Sequence, residues 1–506
     1  MGGQEGRVVI IGAGVAGLAA AAILSARGME VTLLDRAPAP GGKMREVAVG
    51  TTRQDAGPTV LTLRPVLEEL FQAAGSRLSD HVTLTRADIL ARHAWDPGLG
   101  GGDAAQMDLF ADVDRSAEAI SALAGPAEGR GYRRFVADAA RMFRTLDKPF
   151  IRSPQPSMAG LMAGVGPFGL GDLWAIKPFE TLWGALGGYF QDPRLRQLFG
   201  RYATYCGSSP FQAPATLMLV AHVEQAGVWL VEGGMHRLAQ ALSTLAQRNG
   251  ATVRYGAEAR EILVRRGRAA GVLLADGEVV EADAVIHAGD VAALGDGLLG
   301  PGARPAAPTV PRQARSLSAL TWSVVARADG FPLKRHTVFF SRDYRAEFDT
   351  ILERRSLPAA PTVYVCAHDR GAGLEEDTVN GPERLLVLVN APADGDTNPF
   401  PPDSVRACGE ATAGLLARCG LELSEQEEVT TTPADFARLF PASGGALYGR
   451  ASHGWQASFQ RPGIPSRVPG LFLAGGSVHP GPGVPMAALS GHMAASQVLA
   501  ALEKVQ

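Results

Sequence analysis

The sequence predicts an α/β fold in which a parallel-sheet domain is assembled from separate pieces of the chain. An α+β domain and a helical part are inserted between those pieces. The N-terminus is predicted as a strand–helix–strand unit, a strand-then-glycine pattern returns near the C-terminus, and short strands lie in the middle of the chain. With 506 residues, the chain has enough length for more than one hydrophobic core.

The N-terminal unit has a clear strand–helix–strand pattern. The β-branched run Arg7–Ile11 predicts a strand that is buried on both faces of a sheet. Residues 18–27 are rich in alanine and leucine and favour a helix, which Gly28 ends. Residues 29–34 form the second predicted strand, and an acid, Asp35, follows it directly.

A glycine fingerprint joins the first strand to the helix. Gly12 allows a tight turn, Gly14 lets backbone N–H groups approach a pyrophosphate, and Gly17 lets the helix pack closely on the strand. Asp35 stands at the spacing expected of the acid that binds an adenosine ribose. Residues 164–169 match the same glycine pattern, but no strand precedes them and a proline lies in the turn. The first match therefore predicts a Rossmann-type dinucleotide site.

The rest of the chain alternates between helical and strand-rich segments. Residues 65–205 are predicted to be mostly helical, and strand signals return near residue 227. Residues 470–476 repeat the strand-then-glycine pattern before a helix of small residues. The predicted pieces of the nucleotide-binding domain are 1–64, 221–292 and 463–506, separated by a helical part at 65–220 and a substrate-domain sheet at 293–462.

Composition and charge exclude several classes of protein. Lys and Arg number 48 against 51 Asp and Glu, so the net charge of -3 offers no general attraction for a nucleic acid backbone. The four cysteines are far apart and form no CxxC pair, which predicts neither a zinc site nor a disulfide framework and fits a reducing compartment. The histidines form no HxxxH motif or similar cluster, so no metal site is predicted.

The dinucleotide is predicted to be FAD. A second glycine pair and a cation follow the acid directly, in residues 40–43, which suits a longer and more enclosed dinucleotide than NAD. No usable second fingerprint for NAD(P)H is present, because the match at 164–169 is unsuitable. The flavin is therefore expected to take its electrons from the organic substrate.

Several motifs spread from residue 7 to about residue 500 resemble the bacterial carotenoid desaturase family. They include residues 42–43, 55–60, 227–229, 232–234 and 475–485. Residues 444–450, 453–455, 485–487 and 490–491 resemble in particular the hydroxyneurosporene desaturases, which act on the 3,4 bond of 1-hydroxy or 1-methoxy carotenoids. The resemblance implies a glutathione-reductase- or amine-oxidase-like FAD-binding domain.

The resemblance also implies which residues bind FAD. One group serves the ADP half and the pyrophosphate: Gly12, Gly14, Val15, Ala16, Gly17, Asp35, Arg36, Gly42 and Lys43, with Glu232 and Ala259 flanking the adenosine. A second group lies nearer the flavin ring and the ribityl chain: Gly57, Pro58, Thr59, Gly475, Gly476, Val484, Pro485 and Met486. The helix that begins near Val484 is expected to favour the negative charge of a reduced flavin. Ser477 departs from the pattern, because many related flavoproteins have an acid there.

No catalytic residue is assigned by the sequence. His479 is the one histidine inside a cofactor motif, and a structural role for it is favoured over that of a general base. The stretch 153–190, with Trp174, Trp183, Tyr189 and Phe190, is predicted either as a tunnel mouth resting in the outer part of a bilayer or as ordinary core packing. Its many glycines argue against a membrane-spanning helix.

The predicted function is a FAD-dependent carotenoid desaturase, peripherally associated with the cytoplasmic side of a membrane. Its substrate would be an apolar carotenoid, and its electron acceptor oxygen or a quinone. Three alternatives stay open: a phytoene desaturase, another oxidase of the flavin amine oxidase superfamily, and a GDI-like carrier of prenyl lipids without redox chemistry.

Overall fold

A computed structural model describes residues 6–97, 105–165, 176–177, 179–371 and 379–504. Within these ranges, five parallel strands form the nucleotide-domain sheet, with the C-terminal strand at one edge. Their spatial order is Leu471–Leu473, Ala284–His287, Arg7–Ile11, Glu30–Asp35 and Thr252–Tyr255. The sheet therefore takes its strands from three distant parts of the sequence. The predicted boundaries between the domain pieces stay a prediction.

Three helices pack together beside this sheet. They are Val15–Ala26, His236–Arg248 and Val484–Glu503. A Cβ added at Gly491 would overlap the carbonyl oxygen of Ala16, so the first and last of these helices are in close backbone contact. This contact brings the N-terminal and C-terminal glycine turns to the same side of the sheet.

Two of the motifs singled out in the sequence hold each other in place. Asp55 lies at the end of the hairpin Glu46–Val49 and Thr52–Asp55, and its two oxygens accept hydrogen bonds from the backbone N–H groups of Met235 at 2.6 Å and His236 at 3.0 Å. These N–H groups belong to the start of the helix His236–Arg248, where a carboxylate is favoured. Burial raises the pKa of Asp55.

Seven strands of the described chain form the substrate-domain sheet. In spatial order they are Leu421–Thr431, Ser318–Gly330, Glu383–Ala391, Val363–Ala367, His336–Phe340, Ile89–Trp95 and Gln106–Phe110. The strand Ile89–Trp95 pairs in parallel with His336–Phe340, whereas the other neighbours are antiparallel. The prediction that residues 65–205 are mostly helical omitted the last two strands.

The helical part lies between the strand Gln106–Phe110 and the strand Trp229–Val231. The α-helices described there are Val113–Ala124, Pro126–Leu146, Met158–Val165, Leu182–Leu186, Pro193–Gly200 and Leu219–Gln225. Two 3-10 helices, Arg201–Cys206 and Ala215–Met218, lie between the last two. The helix Arg64–Ala73 has a proline in its first turn, and the strands Ala259–Arg265 and Arg268–Leu274 form an antiparallel hairpin. Among the described residues, no helix combines the length and apolarity needed to cross a bilayer.

Candidate functional site

A cavity of about 1220 Å³ lies where the nucleotide-domain sheet, the substrate-domain sheet and the helical part meet. This volume exceeds the roughly 300–1,000 Å³ of common small-molecule pockets, so the cavity has room for more than one bound molecule. The glycine turns from both ends of the chain line it, through Gly12 and Gly14 and through Gly475 and Gly476. The cavity therefore brings together the two regions that the sequence assigned to one dinucleotide.

The N-terminal turn has the geometry that its glycines predict. Gly12 has a φ of 108°, a conformation that suits glycine, and a Cβ at Gly17 would overlap the carbonyl oxygen of Gly12. A Cβ at Gly14 would have no neighbour within 4 Å. Gly14 is the N-cap of the helix Val15–Ala26, and no side chain caps that helix end. Its backbone N–H groups are thus placed to bind an anion in the cavity.

Asp35 and Arg36 lie beside this turn at the end of the second strand. The two carboxylate oxygens of Asp35 accept hydrogen bonds from the backbone N–H groups of Ala13 at 2.6 Å and Ala37 at 2.7 Å. A carboxylate offers about four acceptor positions, so Asp35 can still accept hydrogen bonds from a ribose. Arg36 donates to the carbonyl oxygens of Arg438 and Leu439. Both side chains line the cavity.

The second glycine pair packs directly on the first turn. Gly41 donates its N–H to the carbonyl oxygen of Ala13 at 2.8 Å, and a Cβ at Gly42 would lie 3.2 Å from the Cα of Gly14. Lys43 lies deeper, where its Nζ donates to the carbonyl oxygen of Leu447 at 2.6 Å. Burial lowers the pKa of Lys43. The two glycine loops thus form one continuous backbone-lined wall.

The C-terminal turn lies beside the N-terminal one, because a Cβ at Gly12 and a Cβ at Gly475 would each lie within 3.4 Å of the carbonyl oxygen of Ala288. Gly475 donates its N–H to Ser490 Oγ at 2.8 Å, which ties the turn to the helix Val484–Glu503. The first residues of that helix, Val484, Pro485 and Met486, line the cavity.

Asp290 is a site residue that the sequence analysis missed. It lines the cavity just after the strand Ala284–His287, and its buried Oδ2 has no hydrogen-bond partner among the described residues. Ser477, where an acid was expected, accepts a hydrogen bond from the N–H of Val291 at 3.1 Å. A carboxylate is therefore present in space where the C-terminal motif lacks one. The sequence could have indicated it, because Asp290 follows the predicted strand 284–287 and ligands bind at the carboxyl ends of parallel strands.

A polar cluster that the sequence also failed to predict lies beside Thr59. Thr59 Oγ1 lies 2.7 Å from Tyr364 Oη, which lies 2.7 Å from His336 Nδ1. Arg201 stacks against the ring of Tyr364, with its Cζ 5.2 Å from the ring centroid. Burial lowers the pKa of His336 well below its usual value, so this imidazole is neutral near pH 7. No local motif marks these residues, because they come from four separate segments.

Three predicted site residues, Glu232, His479 and Gly17, do not line the cavity. Glu232 is exposed, and its backbone N–H donates to the carbonyl oxygen of Thr83 at 3.1 Å. His479 is fully buried, and its Nε2 donates to the carbonyl of Phe150 at 2.8 Å. Burial lowers the pKa of His479 to about 4. Gly17 lies outside the lining because it faces the carbonyl oxygen of Gly12, where the helix packs on the turn.

The aromatic residues predicted for a tunnel mouth have a different place. Tyr189 and Phe190 are buried against Phe135, with ring centroids 5.6 and 5.5 Å away, so they are core residues. Trp183 packs on Phe211 and does not line the cavity. Trp174 and most of residues 164–169 lie outside the described residues. Trp183, Tyr189 and Phe190 therefore pack against other aromatic residues and do not form a tunnel mouth.

The half of the cavity away from the glycine turns is largely apolar. Its lining there includes Phe143, Leu146, Phe150, Leu161, Leu219 and Val223. The rim of the cavity has exposed apolar side chains: Met158, Met162, Phe179 and Trp455 are 44%, 52%, 70% and 45% exposed. Among the described residues, no three His, Cys, Asp or Glu side chains are grouped as metal ligands.

The residues present fit a dinucleotide that carries an anionic pyrophosphate. Gly14 leaves open space beside an uncapped helix N-terminus, and an orphaned carboxylate oxygen of Asp290 is ready to accept a hydroxyl hydrogen bond. The apolar half then remains for a second, water-poor molecule.

Comparisons with known proteins agree with this geometry. Residues 15–499 match the family model described as flavin containing amine oxidoreductase. The chain is 53% identical to the hydroxyneurosporene desaturase of Rubrivivax gelatinosus, over 98% of this chain and 94% of that one. It is 45% identical to the hydroxyneurosporene desaturase of Cereibacter sphaeroides, over 98% of each chain.

A solved structure shows the same fold at lower similarity. An oxidoreductase from Methanosarcina mazei matches with a TM-score of 0.61 and 18% identity, covering 96% of this chain and 99% of the other. The family match spans almost the whole chain, from the start of the helix Val15–Ala26 to beyond the C-terminal glycine turn. The chain therefore belongs to the flavin containing amine oxidoreductase family and is a FAD-dependent oxidoreductase.

Proposed function

We propose that this chain is a carotenoid desaturase that introduces a double bond between C3 and C4 of a 1-hydroxy or 1-methoxy carotenoid. The observation that carries this proposal is the 53% identity to a hydroxyneurosporene desaturase along nearly the whole chain. The cavity supports it, since a dinucleotide wall and a large apolar space lie side by side. When bound, FAD accepts the hydride from one carbon, and the second hydrogen leaves as a proton.

The nucleotide wall is proposed to bind FAD. The N-terminal turn, with Gly12, Gly14, Val15 and Ala16, receives the pyrophosphate, while Gly17 keeps the helix close to the strand. Asp35, Arg36 and Ala259 lie at the adenosine end, and Gly42 and Lys43 enclose the phosphates. Gly57, Pro58, Thr59, Gly475, Gly476, Val484, Pro485 and Met486 lie nearer the ring and the ribityl chain. Asp290 accepts hydrogen bonds from hydroxyl groups of the cofactor. It thereby takes the role of the acid that many related flavoproteins have at the position of Ser477.

The apolar half of the cavity is proposed to hold the end of the carotenoid that reacts. Side chains such as Phe143, Leu146 and Phe150 exclude water and restrict the position of the flexible chain. Holding two reacting groups in place can contribute several kcal/mol, roughly 7–11 in the best intramolecular cases, to lowering a barrier. Positioning is therefore the main task of the protein in this reaction.

The rim of the cavity is proposed to contact a lipid bilayer, from which the carotenoid enters. Phe179 and Trp455 lie edge to face at 5.6 Å, next to the exposed Met158 and Met162. Four such side chains at a cavity opening form an apolar patch, whereas scattered exposed apolar residues are ordinary. An apolar substrate that dissolves in the bilayer needs this kind of entrance.

The membrane proposal is tested with a double variant, Met162→Asp with Phe179→Asp, in co-sedimentation with phospholipid vesicles. We expect the variant to bind vesicles more weakly and to desaturate a vesicle-dissolved carotenoid more slowly, with unchanged FAD content. Val279→Asp is the matched control, since Val279 is 43% exposed but does not line the cavity. Equal vesicle binding by the double variant and the wild type contradicts the proposal.

The function is tested with purified, FAD-loaded protein and two substrates, 1-hydroxyneurosporene and phytoene, with oxygen or a quinone as electron acceptor. We expect 3,4-desaturation of 1-hydroxyneurosporene. A product from phytoene alone excludes the 3,4-desaturase. Hydrogen peroxide released with amines or porphyrinogens indicates another oxidase of the superfamily, and a protein that takes up no flavin indicates a carrier.

A further inference from the structure

A charged cluster is buried in the otherwise apolar half of the cavity. Arg201, Tyr205, Glu224 and Tyr364 all line it. Arg201 Nη1 donates to Tyr205 Oη at 3.0 Å, and Tyr205 Oη donates to Glu224 Oε1 at 2.8 Å. The guanidinium also stacks on two aromatic faces, 5.0 Å from the ring of Tyr205 and 5.2 Å from the ring of Tyr364. A buried charged cluster is unexpected in a site that binds a hydrocarbon, because burying charged groups costs free energy.

Arg201 keeps most of its hydrogen-bond donors unused. A guanidinium has five N–H donors, and among the described residues Arg201 donates one hydrogen bond and forms no ion pair. Glu224 binds the two neighbouring tyrosines, because its two oxygens accept the hydroxyl groups of Tyr202 at 2.7 Å and Tyr205 at 2.8 Å. The cluster therefore offers the cavity free donors.

The cluster also lies close to the place where the reaction is proposed to occur. Tyr364 connects Arg201 to Thr59, in the segment proposed to lie beside the flavin ring. In a 1-hydroxy carotenoid, C1 is only two bonds from C3, the nearer of the two reacting carbons. The oxygen on C1 must then lie within the same region of the cavity as the flavin ring.

We propose that Arg201 donates a hydrogen bond to the oxygen on C1 and thereby selects carotenoids that carry an oxygen at this position. This inference rests on the proposed function. A hydroxyl group and a methoxy group both have an oxygen that accepts hydrogen bonds, but only the hydroxyl can donate one. Arginine donates hydrogen bonds and accepts none, so it can bind either group. Tyr205 and Glu224 are positioning residues that hold the guanidinium.

The test compares kcat/KM for 1-hydroxyneurosporene with that for 1,2-dihydroneurosporene, which has the same carbon chain without the oxygen. The preference of the wild type for the oxygenated substrate is expected to fall in Arg201→Met by about 10- to 150-fold, the value of one hydrogen bond from a charged donor. The loss should appear on the oxygenated substrate alone. Arg201→Gln keeps an N–H donor and should give an intermediate preference.

The control variant is Arg196→Met. Arg196 also stacks on an aromatic ring, that of Trp183 at 4.9 Å, but does not line the cavity, so its loss should leave the preference unchanged. FAD content and melting temperature of each variant show that the protein is folded and loaded.

Three results overturn the inference. In the first, Arg201→Met slows both substrates equally, which indicates a structural role. In the second, its preference equals that of the wild type. In the third, only the 1-hydroxy substrate is affected while the 1-methoxy substrate is not, which indicates recognition of the hydroxyl as a donor. A wild type that desaturates no oxygenated carotenoid refutes the proposed function itself, so the two failures are distinguishable.

Discussion

Substitution of Gly14 separates binding of the cofactor from stability of the fold. Gly14 has a φ of -72° and a ψ of 174°, which any residue can adopt, and a Cβ there has no neighbour within 4 Å. It is also the N-cap of the helix Val15–Ala26, a position where Asp and Asn are favoured over Gly. Gly14→Asp and Gly14→Asn should therefore leave the melting temperature of the apoprotein equal to or slightly above that of the wild type.

The effect on FAD should be large and should depend on charge. A side chain at residue 14 occupies the space proposed for the pyrophosphate, and the loss of one hydrogen bond to a charged group raises Kd by about 10- to 150-fold. In Gly14→Asp, a carboxylate about 4 Å from a phosphate adds about 4 kcal/mol of repulsion at an effective dielectric of ~20. Gly14→Asp should thus bind FAD roughly a thousandfold more weakly than Gly14→Asn.

The assay is titration of apoprotein with FAD, followed by flavin fluorescence at two salt concentrations. The difference between the Asp and Asn variants should narrow as salt increases, because it is electrostatic. FAD should also raise the melting temperature of the wild type and leave that of Gly14→Asp almost unchanged. Wild-type flavin content in Gly14→Asp, or equal Kd values for Asp and Asn, would refute the placement of the pyrophosphate.

Three further predictions concern packing, the cofactor and pH. Gly17→Ala should lower the free energy of unfolding by about 1–3 kcal/mol in urea denaturation even without FAD, because its Cβ overlaps the carbonyl of Gly12; stability equal to the wild type contradicts this. Asp290→Asn should raise the Kd for FAD about tenfold or more, while the exposed Asp296→Asn should not. Burial raises the pKa of Glu347 from 4.5 to about 7, so the folded protein holds this proton more tightly than the unfolded chain. The free energy of unfolding should then fall by up to about 3 kcal/mol as pH rises from 4.5 to about 7. In urea denaturation at several pH values, Glu347→Gln should not show this decrease.

The nucleotide-domain core was predictable because its signals are local. The strand Arg7–Ile11 was predicted with its observed bounds, and the strand ending at Asp35 and the helix after Gly14 were predicted within one to three residues. A buried strand, a glycine turn and an alanine-rich helix each depend on a few neighbouring residues. The cavity-lining positions of the predicted glycines follow from that local pattern.

The substrate-domain sheet was only partly predictable because its pairing is long-range. Ile89–Trp95 contains an arginine and a histidine and has no clear alternation, and its parallel partner, His336–Phe340, is about 240 residues away. The hydrogen bonds that make this segment a strand are therefore formed with residues distant in the sequence, which local patterns cannot reveal. The same reason explains why Arg201 was missed, since one of its two aromatic neighbours, Tyr364, comes from the distant strand Val363–Ala367.

The arrangement around Arg201 explains how a cation can lie in an apolar cavity before any substrate binds. Removing a guanidinium from water is costly, and here the cost is offset by a hydrogen bond to Tyr205, by two aromatic faces and by the nearby charge of Glu224. Burial raises the pKa of Glu224, whereas the tyrosine hydroxyls and Arg201 act in the opposite direction. The donors of Arg201 are thus held in one orientation in advance, and an oxygen on C1 can bind to them with little further ordering of the protein.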